Sequence, residues 1–171
     1  MADPERLRPD ERRSWSAFAG AARAVLTAVD RDLERDVGMP RAYVEILHHL
    51  SEAPEGSLRM SDLAEAMRSQ PSRITHAVGR LEEAGHVRRE LCAADRRGWF
   101  AVLTDKGRAA LDEAAPYVAE SVRRRLFAHL SAADRRELTR IGEQLLACLD
   151  APDPSKTRPL AGVASSDGKE S

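Results

Sequence analysis

This 171-residue sequence has only two cysteines, few aromatic residues and no long apolar run. Cys92 and Cys148 form no CxxC pair and belong to no Cys/His cluster with zinc-ligand spacing, so we predict free thiols and no metal site. No segment approaches the roughly 20 apolar residues of a membrane span, and the N-terminus has no secretory hydrophobic region. We therefore expect a soluble cytoplasmic protein with no membrane partner.

The residues that an enzyme would need are also missing. No spacing in the sequence joins a nucleophile to a base, brings carboxylates together or forms a glycine-rich phosphate loop. The sequence therefore predicts neither catalysis nor a cofactor.

The residues that are present favour packed helices. Aromatic residues make up 4% of a chain that is 42% hydrophobic, so its apolar content is mostly alanine, leucine and valine. The net charge of −1 gives no general attraction to nucleic acid, but seven arginines and four acidic residues lie between Arg68 and Arg97. One face of a nearly neutral protein is thus predicted to be basic.

Four helices are predicted before the first strand. Apolar residues at steps of three and four run from Asp10 to Arg35, and Pro40 begins a second helix. A short third helix extends from Ser61, its predicted N-cap, to Met67. A fourth occupies residues 69–84 and ends at Gly85, which suits the position after a helix.

The apolar period then changes from that of a helix to that of a strand. Residues 87–92 and 99–103 are predicted to form a β-hairpin. Thr104 is suited to cap a long fifth helix, and Ser131 with Asp134 resembles a capping box at the start of a sixth. The resulting α-α-α-α-β-β-α-α order, with a helix pair followed by a hairpin, is that of a winged helix-turn-helix.

The exposed face of the fourth helix carries short hydrogen-bonding groups and arginines. Such a helix suits the major groove of DNA, where Arg73 can contact guanine and Gln70 can pair with adenine. A solvated polar face explains the same pattern without a ligand. The candidate DNA-binding residues of this helix are Ser69, Gln70, Ser72, Arg73, Thr75, His76 and Arg80.

The loop of the predicted hairpin contains two adjacent arginines. Arg96 and Arg97 can reach phosphates or a narrow minor groove, and Asp95 can support Arg97 through a charge-assisted hydrogen bond. The alternative is a charged turn that only improves solubility. The loop and the preceding helix strengthen the DNA-binding interpretation together because both need one docking geometry.

Several segments resemble the MarR family (multiple-antibiotic-resistance regulators) over residues 10–150. One departure is Arg68, which occupies a turn position between the motif helices where family members often have glycine. The segments that carry the resemblance are Ser61-Asp62-Leu63-Ala64, Arg80-Leu81-Glu82-Glu83-Ala84-Gly85-His86-Val87, Asp95-Arg96-Arg97-Gly98 and Leu103-Thr104-Asp105-Lys106-Gly107.

The resemblance implies a mainly α protein with a winged helix-turn-helix core flanked by long dimerisation helices. The expected division is an N-terminal arm (1–9), a family domain (10–150) and a disordered tail (151–171). Within the domain the winged core covers about 40–104, and the dimerisation helices cover about 10–36 and 104–149. Such a homodimer would bind a double-stranded, pseudopalindromic operator, with Arg97 at the wing tip and Asp95 as its support.

The family also commonly binds small aromatic or phenolic effectors between the dimerisation helices and the winged core. Candidate lining residues are Trp15, Phe18, His48 and His49, although core packing also explains Trp15 and Phe18. His48 and His49 are adjacent, so at most one of them faces a pocket.

Taken together, the sequence predicts a transcriptional regulator. A repressor is favoured because blocking a promoter needs only binding. The alternative is a winged-helix protein-interaction module without specific DNA binding, which would be expected to have a neutral or acidic wing and fourth helix.

Overall fold

Helices surround a small antiparallel sheet in this chain. The computed structural model describes residues 6–91 and 98–150, within which there are six α-helices and three β-strands. They are α1 (Pro9–Asp36), α2 (Arg41–Glu52), β1 (Ser57–Arg59), α3 (Met60–Ala66), α4 (Pro71–Glu83), β2 (Val87–Leu91), β3 (Trp99–Leu103), α5 (Asp105–Arg125) and α6 (Ala132–Asp150).

The Cα positions divide the chain into two units, Met1–His129 and Leu130–Ser171. The first unit contains α1 to α5 and the sheet, and the second contains α6. Most of the predicted arm and the whole predicted tail, 151–171, lie outside the described residues. None of the helices in residues 6–91 and 98–150 has the length and apolarity that a membrane crossing requires.

The predicted winged helix-turn-helix order is confirmed, with one strand added. β2 and β3 form the hairpin, and β1 pairs with the other side of β3, which gives the order β1-β3-β2. Three residues are too short to show an alternating pattern, so β1 had no signal in the sequence. Its register is set by β3, which places Leu58 opposite Ala101.

The core of the first unit lies between α2, α3, α4 and the sheet. α2 buries four residues, among them Leu47 and Leu50, and α4 buries Ile74, Val78 and Leu81 on one side. Each fully buried side chain of this size contributes roughly 1.5–3 kcal/mol relative to its exposed state. This packing holds α4 in place along its apolar side and leaves its other side to the solvent.

Three of the predicted helix ends are confirmed. Thr104 accepts a hydrogen bond from the amide of Gly107 at the start of α5. At the start of α6 the Ser131 hydroxyl accepts from the amide of Asp134, whose carboxylate accepts from Ser131 in return. Gly85 follows α4 with a φ of 77°, the left-handed conformation that a helix-ending glycine provides.

The prediction that Ser61 caps α3 is wrong. α3 begins one residue earlier, Arg59 occupies the cap position, and the Ser61 hydroxyl donates to the Asp62 carboxylate instead. The reason is β1, which ends at Arg59 and leads directly into the helix. α4 also begins later than predicted, at Pro71, so Ser69 and Gln70 precede it.

The turn between α3 and α4 contains a strained residue. Arg68 has a φ of 45°, in the left-handed region where glycine is favoured and other residues lose roughly 1–2 kcal/mol. Arg68 therefore adopts a backbone conformation that favours glycine, the residue that the resemblance led us to expect at this position.

A buried carboxylate fastens α1 to α5. Asp32 is only 1% exposed and accepts hydrogen bonds from Arg125 (2.8 and 2.9 Å), Ser121 (2.7 Å), Arg124 (2.8 Å) and Arg35 (3.3 Å). The bonds from Arg125, then Ser121 and Arg124, hold the pKa of Asp32 far below its ordinary value. The resulting stabilisation is complete above the unfolded pKa of about 4 and is lost only as the pH falls through the lower folded value.

The base of the hairpin is joined to α4 and α5 at one point. The Thr104 hydroxyl donates to the carbonyl of Gly85 (2.8 Å), and the Thr104 amide donates to the carbonyl of His86 (3.1 Å). Lys106 donates to the carbonyl of Ala84 at 2.7 Å. The end of α4 and the start of α5 are therefore held together.

Gly107 makes this joint possible. A Cβ built on Gly107 would overlap the carbonyl oxygen of His86 and would lie 2.8 Å from the Leu103 side chain. No residue other than glycine fits there unless the backbone of His86 moves. This contact explains the glycine at the end of the Leu103–Gly107 motif.

We predict that Gly107→Ala lowers the free energy of unfolding by about 3 kcal/mol, because the new methyl group has no space beside His86. Urea unfolding followed by circular dichroism measures this change. Gly79→Ala is the control, since nothing lies within 4 Å of its added Cβ in α4. The control is expected to gain up to about 1 kcal/mol from helix propensity. An equal effect of the two substitutions would contradict the overlap at Gly107.

Candidate nucleic-acid interface

The two sides of α4 have opposite character. Its buried side packs into the core through Ile74, Ala77, Val78 and Leu81. Its other side is exposed and contains the predicted set Ser72, Arg73, Thr75, His76 and Arg80, with Gln70 exposed and Ser69 half-buried just before the helix. The fold therefore brings these candidates together on one surface.

The start of α4 is open to an anion. Gln70 is the N-cap but makes no side-chain hydrogen bond to the helix, and Pro71 occupies the first turn. Gln70, Pro71 and Ser72 are all exposed. The positive end of the helix dipole is therefore accessible, which favours a phosphate group at this position.

The polar groups of this face differ in what they can still bind. Arg80 is paired with Glu83 at 2.7 Å, and the Thr75 hydroxyl donates to the carbonyl of Pro71 at 2.9 Å. Within residues 6–91 and 98–150, Arg73 has no such ion pair or hydrogen bond from its side chain. Arg73 is thus the cation of this face with its donors available, whereas Thr75 retains only acceptor capacity.

The predicted loop residues Asp95, Arg96 and Arg97 lie outside the described residues, as does Cys92. The strands that carry the loop are described, and Leu91 lies directly opposite Trp99. The prediction of a hairpin after α4 is confirmed by this pairing, while the roles of the three loop residues stay predictions.

The structure adds a cavity that sequence reasoning missed. It has a volume of about 360 Å³ and lies between α4 and the sheet. Its walls include Arg59, Ser61, Thr75, Arg89 and Trp99. The guanidinium of Arg59 stacks on Phe100 at 5.4 Å, and that of Arg89 stacks on Trp99 at 5.9 Å from the ring centroid. Arginine and hydroxyl groups therefore line the space between the exposed side of α4 and the hairpin.

No local pattern in the sequence could have predicted that Arg59 and Arg89 line the same cavity. Arg89 was part of the counted arginine surplus, but whether it faces α4 depends on the register of β2 against β3. Arg59 reaches the same cavity only because β1 pairs with β3.

The predicted effector residues of α1 are separated from the described core. Trp15 and Phe18 are 60% and 55% exposed, and their ring centroids are 6.4 Å apart. Packing within the core of this unit, the alternative explanation for both residues, is therefore wrong. Neither ring lines one of the described cavities.

Of the two histidines, His48 lies at a cavity. It lines a space of about 290 Å³ between α2 and α5, together with Val44, Leu111 and Val118. His49 is half-buried and is not among the lining residues. A second cavity of about 260 Å³ lies between α1, α2 and α5 and shares Val44 and Val118 with the first.

His86 and Cys148 are two further side chains with reactive groups. Burial and then the charge of Lys106 lower the pKa of His86, which favours the neutral form of its ring. Cys148 is an exposed free thiol on α6. In the part of the chain that the structure describes, no three histidine, cysteine or acidic side chains are grouped as a metal site would require.

Comparison with known proteins identifies a matching family and solved structures with this fold. A family model described as MarR family matches residues 37–98. Sco3205, a MarR family transcriptional regulator from Streptomyces coelicolor solved in complex with DNA, is 38% identical with a TM-score of 0.80. That alignment covers 88% of this chain and 94% of Sco3205.

Two further relatives are also transcriptional regulators by their descriptions. AbsC, a MarR family transcriptional regulator from Streptomyces coelicolor, is 36% identical with a TM-score of 0.75, covering 84% of this chain and 97% of AbsC. A curated Bacillus subtilis protein, the uncharacterized HTH-type transcriptional regulator YfiV, is 31% identical over 103 residues. That match covers 60% of this chain and 62% of the length of YfiV.

Two independent observations lead to the same family. The chain has a winged helix-turn-helix with an exposed polar face on α4, and it is similar over almost its full length to two solved regulators. The chain belongs to the MarR family of transcriptional regulators.

Proposed function

We propose that this protein is a cytoplasmic homodimer that binds a pseudopalindromic operator, represses transcription and is released by a small aromatic or phenolic effector. The observation that carries the proposal is the exposed polar face of α4, which stands opposite a fully packed apolar face. A helix held rigidly by the core can present side chains to base edges at fixed positions.

DNA binding follows from the chemistry of that face. The open start of α4 suits a backbone phosphate, and Arg73 suits the two acceptors of a guanine in the major groove. Sco3205, a relative with this fold, was solved in complex with DNA. Contacts from Arg96 and Arg97 to the adjacent minor groove or backbone complete the proposal.

Dimerisation is supported by apolar surface that the single chain leaves uncovered. No residue of α6 is buried, and Leu138, Ile141, Leu145, Leu146 and Leu149 are all exposed. Independently, α1 exposes Trp15, Phe18 and Leu26. Apolar surface of this extent in contact with water is unfavourable, so we assign a second copy of the chain as its cover. A two-fold dimer also matches a two-fold operator.

Effector binding is supported by the two cavities beside α2. Each is lined mainly by aliphatic side chains, and the larger is close to the lower end of the roughly 300–1,000 Å³ usual for ligand sites. That volume suits a single-ring compound. Glu45 borders both cavities and pairs with Arg41, while His48 supplies a polar group at the first.

We predict that the protein binds DNA from upstream of its own gene more tightly than a random duplex, and that Arg73→Ala removes about 1–3 kcal/mol of this preference. The loss arises because the alanine variant cannot make a bidentate contact with a base. Fluorescence anisotropy at two salt concentrations measures both affinities.

Arg31→Ala is the matched control for charge, since Arg31 is exposed and belongs to α1, not to α4. It should keep the full preference for the upstream DNA. A wild-type protein that binds both duplexes equally, or not at all, would favour the protein-interaction module instead.

We predict that Leu145→Glu converts the dimer into a monomer, because a carboxylate would have to be buried against apolar side chains of the second copy. Light scattering coupled to size-exclusion chromatography measures the mass. Gln144→Glu adds the same charge on the polar side of α6, where Gln144 bonds to Arg140, and should remain dimeric. A wild-type monomer would refute the proposed assembly.

We predict that millimolar para-hydroxybenzoate, used as the phenolic probe, lowers the affinity for the upstream DNA. Ala115→Leu should abolish the response while leaving DNA binding intact, because the added atoms fill the cavity beside His48. Ala109→Leu adds the same bulk at an exposed position of α5 and should respond as the wild type does. A response that survives in Ala115→Leu would place the effector elsewhere.

A further inference from the structure

One side chain connects α4, the proposed recognition helix, to the β2–β3 hairpin. Glu82, in the last turn of α4, accepts hydrogen bonds from both the backbone and the side chain of Arg89 on β2. The backbone amide lies 3.1 Å from Oε1, while Nε and Nη2 each lie 2.6 Å from Oε2. Both carboxylate oxygens are therefore used, and they bind a main-chain atom of β2 as well as its side chain.

Arg89 carries the connection onward to β3. Its guanidinium lies over the ring of Trp99 at 5.9 Å from the centroid. Trp99 pairs directly with Leu91, two residues beyond Arg89, so Arg89 and Trp99 are diagonal neighbours on one face of the hairpin. A single guanidinium thus joins α4, β2 and β3.

This connection contributes orientation more than stability. The side chains of Glu82 and Arg89 are 33% and 37% exposed, and ion pairs with that access to water stabilise a fold only weakly. Their geometry is nevertheless specific, because three donor atoms of one residue meet one carboxylate. Thr104 already fixes the base of the hairpin, and Glu82 provides a second point of attachment that limits rotation about the first.

We infer that Glu82 is a positioning residue for DNA binding, which fixes the angle between α4 and the β2–β3 hairpin by holding Arg89 against Trp99. The inference rests on the proposed function. The recognition helix and the hairpin must contact the same DNA at the same time. A hairpin that is free to rotate would lose this freedom on binding, and the entropy cost would lower the affinity for DNA.

The negative charge of Glu82 allows the positioning role to be distinguished by the direction in which DNA affinity changes. An acidic group close to a DNA-binding face repels phosphates, so its removal ordinarily strengthens binding. A positioning role predicts the opposite, a loss of affinity on removal of a negative charge.

The test compares Glu82→Ala with Glu90→Ala in the full-length protein. Glu90 is the matched control because it also pairs with an arginine, Arg88 at 2.6 Å, but within β2 and without a bond to α4. We expect Glu82→Ala to bind the upstream DNA about tenfold more weakly at constant salt. Glu90→Ala should bind as the wild type or more tightly. Both variants should keep the mass and the helix content of the wild type.

A second readout is independent of DNA. The chain has two tryptophans, so Trp99 can be observed alone in a Trp15→Phe background. Glu82→Ala should shift its emission and increase its quenching by iodide, since Arg89 no longer lies over the ring. Glu82→Gln, which retains an acceptor for the Arg89 amide, should recover most of the affinity.

The outcomes separate the two proposals. Lack of preference for the upstream DNA in the wild type would refute the proposed function. A wild type with that preference, alongside a Glu82→Ala variant that binds as tightly or more tightly, would overturn the positioning role. If Glu82→Ala does not fold, Glu82→Met takes its place, because methionine keeps the length of the side chain without an oxygen acceptor for Arg89. A folded Glu82→Met variant with the affinity and emission of the wild type would overturn the positioning role.

Discussion

The contact between Gly107 and the carbonyl of His86 is the constraint on which the arrangement of the first unit depends. It allows α5 to begin directly against the end of α4, where Thr104 and Lys106 donate to the last carbonyl groups of that segment. Three elements therefore start or end within one small region: α4, the β2–β3 hairpin and α5. Their mutual directions follow from hydrogen bonds that no side chain at position 107 would permit.

α4 contributes to the core with one side and to the surface with the other. Ile74, Val78 and Leu81 are required for packing, so the positions between them are the ones available for polar groups. The helical period of 3.6 residues separates these two sets onto opposite sides. A binding face on such a helix needs no additional scaffold, because the interactions that stabilise the fold also fix the position of Arg73.

The long helices distribute their apolar residues differently. The second half of α1 buries Val29 and Leu33 and is fastened to α5 through Asp32, whereas its first half and all of α6 leave large side chains exposed. The buried half stabilises the chain itself. The exposed apolar surfaces of α1 and α6 are the physical basis for the proposed assembly of two copies.

The sequence by itself determined the helices, the hairpin and the set of polar residues on α4, because each depends on local periodicity, caps such as Thr104, and the Gly85 helix end. Tertiary structure decided the rest. Three features depend on pairing with β3: the strand β1, the start of α3 at Met60 and the cavity around Arg89. β3 lies about 40 residues further along the chain than β1. The bonds of Asp32 and Glu82 likewise join residues that have no local pattern in common. Periodicity reports which side of an element is buried, whereas the partner that buries it is chosen only when the whole chain packs.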